Sequence, residues 1–264
     1  MENSFNKLHN NQVREQDNQQ IKRRSFIAFG TFIILQAAAY IGWRKLYTSP
    51  DEVAGITKGA QAPLRQALNQ NELFFRRLFF SERHLVKTYP KDMAARKPRV
   101  NSRIGLEGKF NIADWKLDVA RSPGDVLDLT IDEIKTLPKT EIVYSFKCVE
   151  GWDQIQHWGG VKFSDFIEHF QLHKQAQMGY VGMSTPDGKY YVGLDMASAM
   201  HPQTLLAYEM NGKAMGTDHG APLRLIIPVK YGIKNLKRIS SITFSNTRPR
   251  DYWAEQGYDY YSGL

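Results

Sequence analysis

The chain has 264 residues, of which 42% are apolar and 12% aromatic, so it is long enough to bury the core of one domain with appendages. Its net charge of +8 comes without a long block of lysine and arginine, which excludes nucleic acid as the default partner. A single cysteine excludes both a disulfide framework and a cysteine-rich zinc or iron–sulfur site.

The N-terminal region predicts a membrane segment preceded by a polar tail. Residues 1–24 are rich in Asn, Gln and charge, which is typical of a disordered cytoplasmic tail. Residues 25–43 form an uncharged stretch of 19, and at about 1.5 Å per residue this length crosses the hydrocarbon core of a bilayer. Tyr40 and Trp43 suit the membrane interface, and the basic residues before Ser25 favour a cytoplasmic N-terminus.

The same stretch also fits an export signal. Arg23 and Arg24 are followed by a polar residue and then apolar ones, the pattern of a twin-arginine signal, which directs folded proteins across the membrane. Three alanines at 37–39 offer a cleavage site, but an uncleaved anchor fits as well. Both alternatives place the rest of the chain on the extracytoplasmic side, and the anchor would hold it at the inner membrane.

Residues 44–100 predict a linker with a helical lead-in. Gly, Pro and charged residues punctuate its first part. Pro63 and apolar residues at helical spacing then predict a helix over 62–80. An irregular basic stretch follows this helix.

The remainder, residues 101–264, predicts an α+β domain, because short helices stand among many strands without βαβ alternation. Thr130 and Glu133 have the spacing of a capping box and predict a short helix. Further helices are predicted at 163–173 and 195–200. The predicted strands cover 115–119, 141–147, 180–183, 189–194, 205–211, 223–229 and 239–244.

Two patterns give weak or no support for a site. His169 and His173 stand four residues apart on a predicted helix, a spacing that can bind a metal, but without a third ligand they indicate a polar surface. The chain has neither a Walker A sequence nor GxGxxG, so a nucleotide-binding function has no support.

Cys148 is the only cysteine, and it directly follows the predicted strand 141–147. The Glu-Gly pair shortly after it indicates a loop region, where sites are usually built. A lone cysteine of this kind is a small buried hydrophobe, a nucleophile or a metal ligand, and its spacing alone favours the first.

A second cluster follows far downstream. Arg224, Lys230, Lys234 and Lys237 recur in a glycine-containing stretch with few acids. Backbone N–H groups with Arg and Lys make an anion pocket suited to phosphate. The basic spacing by itself favours loop residues in solvent, so the anion pocket stands here as the alternative.

Four segments in a fixed order resemble the molybdopterin-binding domain of the sulfite oxidase superfamily: Cys148–Trp152, Trp158–Val161, His219–Arg224 and Pro228–Lys234. The resemblance extends from about residue 115 to 261, and its segments are specific as a set. It implies an α+β fold with the mixed sheet of that superfamily and a molybdenum–molybdopterin cofactor. A Glu-Gly-Trp run stands where sulfite oxidases have a basic, oxyanion-binding segment, so the resemblance favours the methionine-sulfoxide reductase branch.

The resemblance also assigns roles to residues. The thiolate of Cys148 is expected to bind the molybdenum, since a soft thiolate suits such a metal. Tyr231 is expected to donate a hydrogen bond to a bound oxo group. Trp152, with His157 and Trp158, is expected to wall the substrate pocket, although core packing explains these rings as well. The residues expected to hold the pterin and its phosphate are Thr185, His219 (where the family has Asn), Arg224, Lys230, Lys234, Asn235, Leu236 and Lys237, with Ser81, Glu82, Arg83 and His84 as upstream candidates.

The predicted function is therefore oxygen-atom transfer to or from a small or protein-bound substrate. The chain has no haem motif, so electrons are expected from another protein, membrane-bound or soluble, with a b-type cytochrome as the main candidate. Two rival hypotheses remain: a sulfite-oxidase-like enzyme, and a cofactor-free, membrane-anchored binding module of the same fold, which the departure at His219 motivates. A nucleic-acid binder conflicts with the membrane segment.

Overall fold

The computed structural model describes residues 2–48, 62–81, 83–107 and 110–263. The chain divides into two units, one of residues 1–50 and 61–70 and one of the remaining residues. The first unit contains the long helix α1 (Glu2–Thr48), and helix α2 (Ala62–Phe79) begins in the first unit and ends in the second.

Helix α1 contains the predicted membrane segment. Its stretch Gln19–Lys45 is 27 residues long, and the most apolar window there has a mean hydropathy of 1.7 and no buried residue. By length and composition this stretch can cross a membrane, and a signal sequence near an N-terminus has the same properties. The helix continues back to Glu2, where the sequence predicted a disordered tail. Once a helix is nucleated, each added residue gains a hydrogen bond, so polar residues can extend it.

The second unit holds two β-sheets. One has the strand order β2-β1-β10-β5-β6, and the other has the order β3-β4-β7-β8 with β9 paired to β7. The strands are β1 (Leu117–Ser122), β2 (Asp125–Leu129), β3 (Thr140–Lys147), β4 (Asp153–Lys162), β5 (Tyr180–Ser184), β6 (Tyr191–Asp195), β7 (Leu205–Met210), β8 (Lys213–Ala214), β9 (Arg224–Ile226) and β10 (Ser241–Ser245). The short helices are α3 (Ile131–Lys135), α4 (Phe163–His169), α5 (His173–Ala176), α6 (Met196–Ala199) and α7 (Tyr252–Glu255).

Strand β1 pairs in parallel with β10, whereas β2 and β5 pair antiparallel with their neighbours, so the first sheet is mixed. This confirms the predicted α+β class. The predicted hairpin of β5 and β6 is present, with Tyr180 opposite Asp195. The capping box at α3 is also present, because the Thr130 hydroxyl accepts from the Glu133 N–H and the Glu133 carboxylate accepts from the Thr130 N–H.

The main hydrophobic core lies between the two sheets. It joins residues of β1, β5, β6 and β10 to residues of β4, β7 and β9. Alternate residues of the second sheet face a separate cluster on its other side, formed by Tyr144, Phe146 and Trp158 with residues of β7 and β9. Because successive side chains of a strand point to opposite faces, Leu225 enters the first core and Arg224 lies on the face of the second cluster.

Strand β4 is the largest element that the sequence does not predict. Its sequence mixes glutamine, histidine and two glycines, and it lacks the β-branched enrichment of a typical strand. It forms because β3 and β7 pair with it on both sides. The register shifts between Gly159 and Gly160.

The histidine pair does not lie on one helix. Helix α4 ends at His169, the backbone of Gln171 has a φ of +55°, and α5 begins at His173. The described residues contain no group of three or more His, Cys, Asp or Glu side chains arranged to hold a metal ion. The structure therefore agrees with a surface position for these two residues.

Gly160 is required by the packing of β4 on β7. A Cβ atom at this position would lie 2.2 Å from the Leu206 carbonyl oxygen and 2.6 Å from the Ala207 Cα. Since both are backbone atoms that cannot rotate away, we expect Gly160→Ala to lower the free energy of unfolding by about 1–3 kcal/mol in urea denaturation. Gly216→Ala is the matched control, because no atom lies within 4 Å there and the change should stay within about 0.5 kcal/mol. Equal effects of the two substitutions would show that this contact does not constrain the sheet.

Candidate cofactor site

Cys148 directly follows β3 and begins a tight turn. Its N–H donates to the Trp152 carbonyl at 2.9 Å, and the N–H of Gly151 donates to the Cys148 carbonyl at 3.1 Å. Gly151 has a φ of +83°, a backbone conformation that favours glycine. The turn holds the cysteine side chain at 7% exposure, so the sulfur has a fixed position at the end of a strand.

The surroundings of the sulfur are not simply apolar. Burial raises the pKa of the Cys148 thiol, but the backbone N–H groups of Glu150 and Val149 bond to the sulfur and act in the opposite direction. The charge of Arg99 also favours the thiolate, while the Glu150 carboxylate opposes it. A bound metal cation would favour the thiolate further. The role of Cys148 as a metal ligand remains a prediction.

Trp152 is held in place at the end of this turn. Its indole N–H donates to the Glu150 carboxylate at 2.8 Å, and its ring stacks on Phe146 with a centroid distance of 6.0 Å. The Arg99 guanidinium lies 4.6 Å from the ring centroid on the indole. The ring is half-buried, so it has the fixed position and partial exposure that a pocket wall requires.

The basic loop, residues 230–237, packs against the end of β3. A Cβ atom on Gly232 would lie 2.9 Å from the Phe146 ring and 3.4 Å from the Lys147 carbonyl oxygen. Only a glycine allows so close an approach. This contact brings the two sequence clusters, the cysteine turn and the basic loop, to the same place in the fold.

The loop is fastened to β9 by Asn235 and Leu236. The Asn235 side chain accepts from the Ile227 N–H at 2.8 Å and donates to the Tyr231 carbonyl at 3.0 Å. The Leu236 side chain is fully buried, and its carbonyl accepts from the Leu225 N–H at 2.8 Å. Both residues shape the loop through these contacts, and contact with a phosphate remains a prediction.

The side chains of the three lysines of the loop are buried in the protein. Lys234 forms an ion pair with Asp251, with side-chain exposures of 1% and 2%, and donates to the Gly193 carbonyl at 3.0 Å. Lys230 lies 3.6 Å from the Asp195 carboxylate. Burial lowers the pKa of Lys230 to about 8. The lysines are therefore not the solvated loop residues that their spacing alone favoured.

Lys237 is held by the backbone. Its ammonium group donates to the carbonyls of Asn101, Ser102 and Asp218, the last at 2.7 Å. Burial, followed by the charge of Arg224, lowers the pKa of Lys237 to about 7. An anion placed beside this group would restore its charge.

Arg224 is as deeply buried as Lys234, at 1% exposure. It donates to the carbonyls of His219 at 2.8 Å and Asn235 at 3.2 Å, and its guanidinium lies 4.5 Å from the centroid of the Trp158 ring. Burial lowers its pKa to about 10. Arg224 thus connects the turn that contains Gly220 (residues 219–221) to the basic loop.

Three buried donors around Arg224 have no hydrogen-bond partner among the described residues. They are Nε of Arg224, the indole N–H of Trp158 and the hydroxyl of Tyr144. Buried donors are almost always paired in native proteins, so such a group calls for an acceptor. Oxygen and nitrogen acceptors of a pterin or its phosphate would satisfy them. These three unpaired donors fit the pterin cofactor that the resemblance implies.

His219 stands where the resembled family has Asn. Burial lowers its pKa to about 4, and the charges of Arg224 and Lys237 act in the same direction. The ring is therefore neutral at pH 7 and offers one donor and one acceptor, as an Asn side chain does. The departure from the family pattern is chemically mild.

Thr185 and Tyr190 connect β5 and β6 to the site. The Thr185 hydroxyl donates to the Asp187 carboxylate at 2.6 Å and accepts from the Tyr190 N–H at 3.2 Å. The Tyr190 hydroxyl in turn donates to the carbonyl of Ile233 in the basic loop and accepts from the Trp253 indole at 3.1 Å. Burial, followed by the charge of Asp251, raises the pKa of Tyr190; Cys148 acts in the same direction, whereas the charge of Arg224 opposes it. Sequence reasoning missed Tyr190, because a Lys-Tyr-Tyr run carries no signal of its contacts.

The upstream candidates precede the segment that pairs with β3. Ser81 is half-buried and accepts from the Arg83 N–H at 3.2 Å, while Arg83 and His84 are exposed. Glu82 lies outside the described residues. The contacts with β3 begin downstream, where Thr88 pairs with Tyr144 and the Tyr89 N–H donates to Val143. A role of residues 81–84 in binding the pterin remains a prediction.

His157 and Trp158 are buried, whereas Trp152 is half-buried. Trp158 is 1% exposed and His157 is 6% exposed within β4. The Trp158 ring lies under Arg224, and the His157 ring lies 3.4 Å from Glu141. Buried in this way, neither ring forms an open wall in the described structure.

Comparison with known proteins gives a consistent picture. Residues 105–253 match the family described as the oxidoreductase molybdopterin binding domain. A putative protein-methionine-sulfoxide reductase subunit YedZ1 of Azospira oryzae is 34% identical over 186 residues, which are 70% of each chain. The protein-methionine-sulfoxide reductase catalytic subunit MsrP of Campylobacter jejuni is 33% identical over 61% of this chain and 60% of its own, and that of Xanthomonas campestris is 32% identical over 54% and 49%.

The chain thus spans about half to 70% of the length of these relatives. Among solved structures, the sulfane dehydrogenase SoxCD from Paracoccus pantotrophus gives a TM-score of 0.47 at 17% identity, covering 53% of this chain and 40% of that chain.

The depressed pKa of His219 predicts a pH effect on stability. The unfolded chain takes up a proton at this residue as the pH falls below 6.5, whereas the folded chain takes it up near 4, so His219 costs stability progressively over that window. We expect the free energy of unfolding of His219→Asn to fall less than that of the native chain between about pH 6.5 and 4 in urea denaturation. His173→Asn, at an exposed position, serves as the control. Parallel pH profiles of all three proteins would contradict a buried neutral His219.

Proposed function

Because the chain belongs to the family of oxidoreductases with a molybdopterin-binding domain, we propose that it reduces sulfoxides, with protein-bound methionine sulfoxide as its substrate. The enzyme uses a molybdenum–molybdopterin cofactor. The single observation that carries the proposal is the resemblance, over most of the chain, to relatives named as methionine-sulfoxide reductase subunits. Their substrate is proposed here for this chain.

The reaction is balanced by two electrons and two protons. A sulfoxide loses its oxygen as the S–O bond breaks, the sulfur is reduced by two electrons, and the oxygen leaves with two protons as water. The bound cofactor supplies this oxygen-atom transfer chemistry. The electrons come from a redox partner protein, and the protons come from solvent.

The protein's own residues hold the cofactor at both ends. At the metal end, Cys148 provides a thiolate that the turn positions and that backbone N–H groups stabilise. At the other end, Arg224 and Lys237 provide positive charge, and His219 provides a neutral donor. The buried donors around Arg224 support this assignment.

Around the cysteine, the residues form one side of a substrate pocket. Trp152 packs on Phe146 and presents a half-buried ring, which suits the apolar side chain of a methionine derivative. Tyr231 is half-buried, at the start of the basic loop beside Gly232. In the proposed mechanism its hydroxyl donates a hydrogen bond to the oxygen that is being transferred.

One observation favours a second candidate function, the oxidation of sulfite. The guanidinium of Arg99, stacked on Trp152, is a cation next to the cysteine turn and could bind an oxyanion. A substrate screen with an artificial electron donor or acceptor distinguishes the two. We expect turnover of methionine sulfoxide in proteins and peptides, and little of sulfite. Faster turnover of sulfite that Arg99→Gln abolishes would favour the second function.

The anchor and the relatives support a place in a membrane electron-transfer chain. The basic residues 22–24 before the apolar segment favour a cytoplasmic N-terminus, so the domain would lie on the extracytoplasmic side of the inner membrane. The relatives are named as subunits, which is typical of proteins that work with another chain. A membrane b-type cytochrome is the proposed electron donor.

Cys148→Ser tests the metal ligand. Purified from a host that makes the cofactor, the native chain should contain near one molybdenum per chain, and the variant should lose at least about 100-fold in kcat because the metal loses its protein ligand. Elemental analysis and turnover measure the two effects, and thermal unfolding checks that the variant folds. His173→Ala is the control. A native protein without molybdenum or pterin would support the cofactor-free rival.

Tyr231→Phe tests the hydrogen-bond donor. Removing the hydroxyl should lower kcat by about 10- to 100-fold with the molybdenum content unchanged, because only the transition state loses a donor. Tyr191→Phe removes a hydroxyl that pairs with Glu255 away from the loop, and it serves as the control. Unchanged kcat in Tyr231→Phe would leave the tyrosine as a packing residue only.

A further inference from the structure

The outer face of α2 is apolar. Four large side chains along it are each between 53% and 64% exposed: Phe74, Phe75, Leu78 and Phe79. The rings of Phe75 and Phe79 stack with a centroid distance of 6.0 Å. Four such residues within six positions form a contiguous patch, which on a soluble domain marks an interaction surface.

The opposite face of α2 is fixed to the domain. Arg76 donates to the Asp195 carboxylate and to the Ser198 hydroxyl at 2.7 Å, and its guanidinium lies 4.6 Å from the Tyr261 ring centroid. Leu73 packs on the cluster that contains Tyr261. These contacts determine the rotation of the helix, so its aromatic residues face away from the domain.

The sequence of the chain indicates what covers this patch. The apolar stretch Gln19–Lys45 is long enough to span a membrane, and α1 ends at Thr48. Only 13 residues separate Thr48 from Ala62, where α2 begins. At most about 3.3–3.6 Å per residue, this link spans no more than about 47 Å. When the apolar stretch is in a bilayer, the start of α2 is therefore tethered within reach of the bilayer surface.

The composition of α2 suits the surface of a bilayer and not its interior. The helix carries four charged residues, Arg65, Glu72, Arg76 and Arg77, so it cannot span the membrane. An apolar aromatic face opposite a polar one is the pattern of a helix that lies in the interface between lipid and water. The polar face of α2 is already occupied by the domain, which leaves the apolar face for the lipid.

Basic residues continue the patch beyond α2. Leu85 is 60% exposed, and its neighbours in the chain include the exposed residues Arg83, His84 and Lys87. Glu82 is the one acidic residue in the sequence of residues 81–91. Lysine and arginine next to exposed apolar residues attract the anionic headgroups of phospholipids. Both halves of an interfacial site, apolar and basic, are thus present on one segment.

We propose that the aromatic face of α2 inserts into the interfacial layer of a phospholipid bilayer and holds the catalytic domain against it. Through Arg76, the same helix contacts Asp195, which lies 3.6 Å from Lys230 at the start of the basic loop. Lipid contact would therefore orient the loop side of the domain relative to the membrane, where a membrane-bound electron donor is found.

Photocrosslinking in the full-length holoenzyme tests this. Benzoylphenylalanine replaces Phe75, and the protein is reconstituted into vesicles of phosphatidylcholine with phosphatidylglycerol. After irradiation, mass spectrometry should find lipid adducts at position 75 at least about tenfold more often than with the same group at Val126, which is 51% exposed on β2. Turnover with an artificial donor should match the native chain, which shows that the substituted protein is folded.

Three other crosslinking results would overturn the proposal. An adduct with residues 49–61 would show that the chain covers its own patch, and an adduct with a second copy would show a dimer interface. Equal lipid adducts at positions 75 and 126, or none at either, would show that lipid does not bind this face. The double variant Arg83→Gln and Lys87→Gln should lower the adduct yield in vesicles with phosphatidylglycerol and leave it unchanged in pure phosphatidylcholine. If the double variant gave the same adduct yield as the chain with Arg83 and Lys87 in both kinds of vesicle, these two residues would not bind the headgroups.

Discussion

The site depends on one close contact, the packing of Gly232 against Phe146 and the Lys147 carbonyl. The cysteine turn (148–152) and the basic loop (230–237) are separated by 77 residues in the chain. A glycine at the contact lets the loop backbone approach the end of β3, and the ring of Phe146 also supports Trp152. The proposed metal ligand, the proposed substrate wall and the proposed anion site therefore take their relative positions from this contact.

The site also depends on how its buried cations are compensated. Removing a charged group from water is costly unless partners replace the water. Lys234 has Asp251 as a partner, Lys230 has Asp195 nearby, and Lys237 has three carbonyls. Arg224 has two carbonyls but retains an unpaired Nε among the described residues. Burial lowers the pKa of Arg224, Lys230 and Lys237, so an anionic ligand bound beside these groups would stabilise the folded loop.

The sequence predicted much of the fold because local rules decided it. The capping box at Thr130, the hairpin of β5 and β6 and the strand before Cys148 each follow from residues close together in the chain. It did not predict β4, which forms because two neighbouring strands pair with it, nor the end of α4 at His169. The order of the sequence segments led to the proposed members of the site, whose roles remain predictions. It could not predict that Lys234 would pair with Asp251, or that Tyr190 would link Thr185 to the loop, because such contacts depend on long-range packing.

The central claim is that the sulfur of Cys148 is bonded to the molybdenum. X-ray absorption at the molybdenum edge measures this directly in the purified holoenzyme. The account predicts one more sulfur neighbour than the pterin dithiolene supplies, and its loss in the serine variant with the dithiolene sulfurs retained. The same sulfur count in both proteins would contradict the account, because the cysteine turn would then hold no metal.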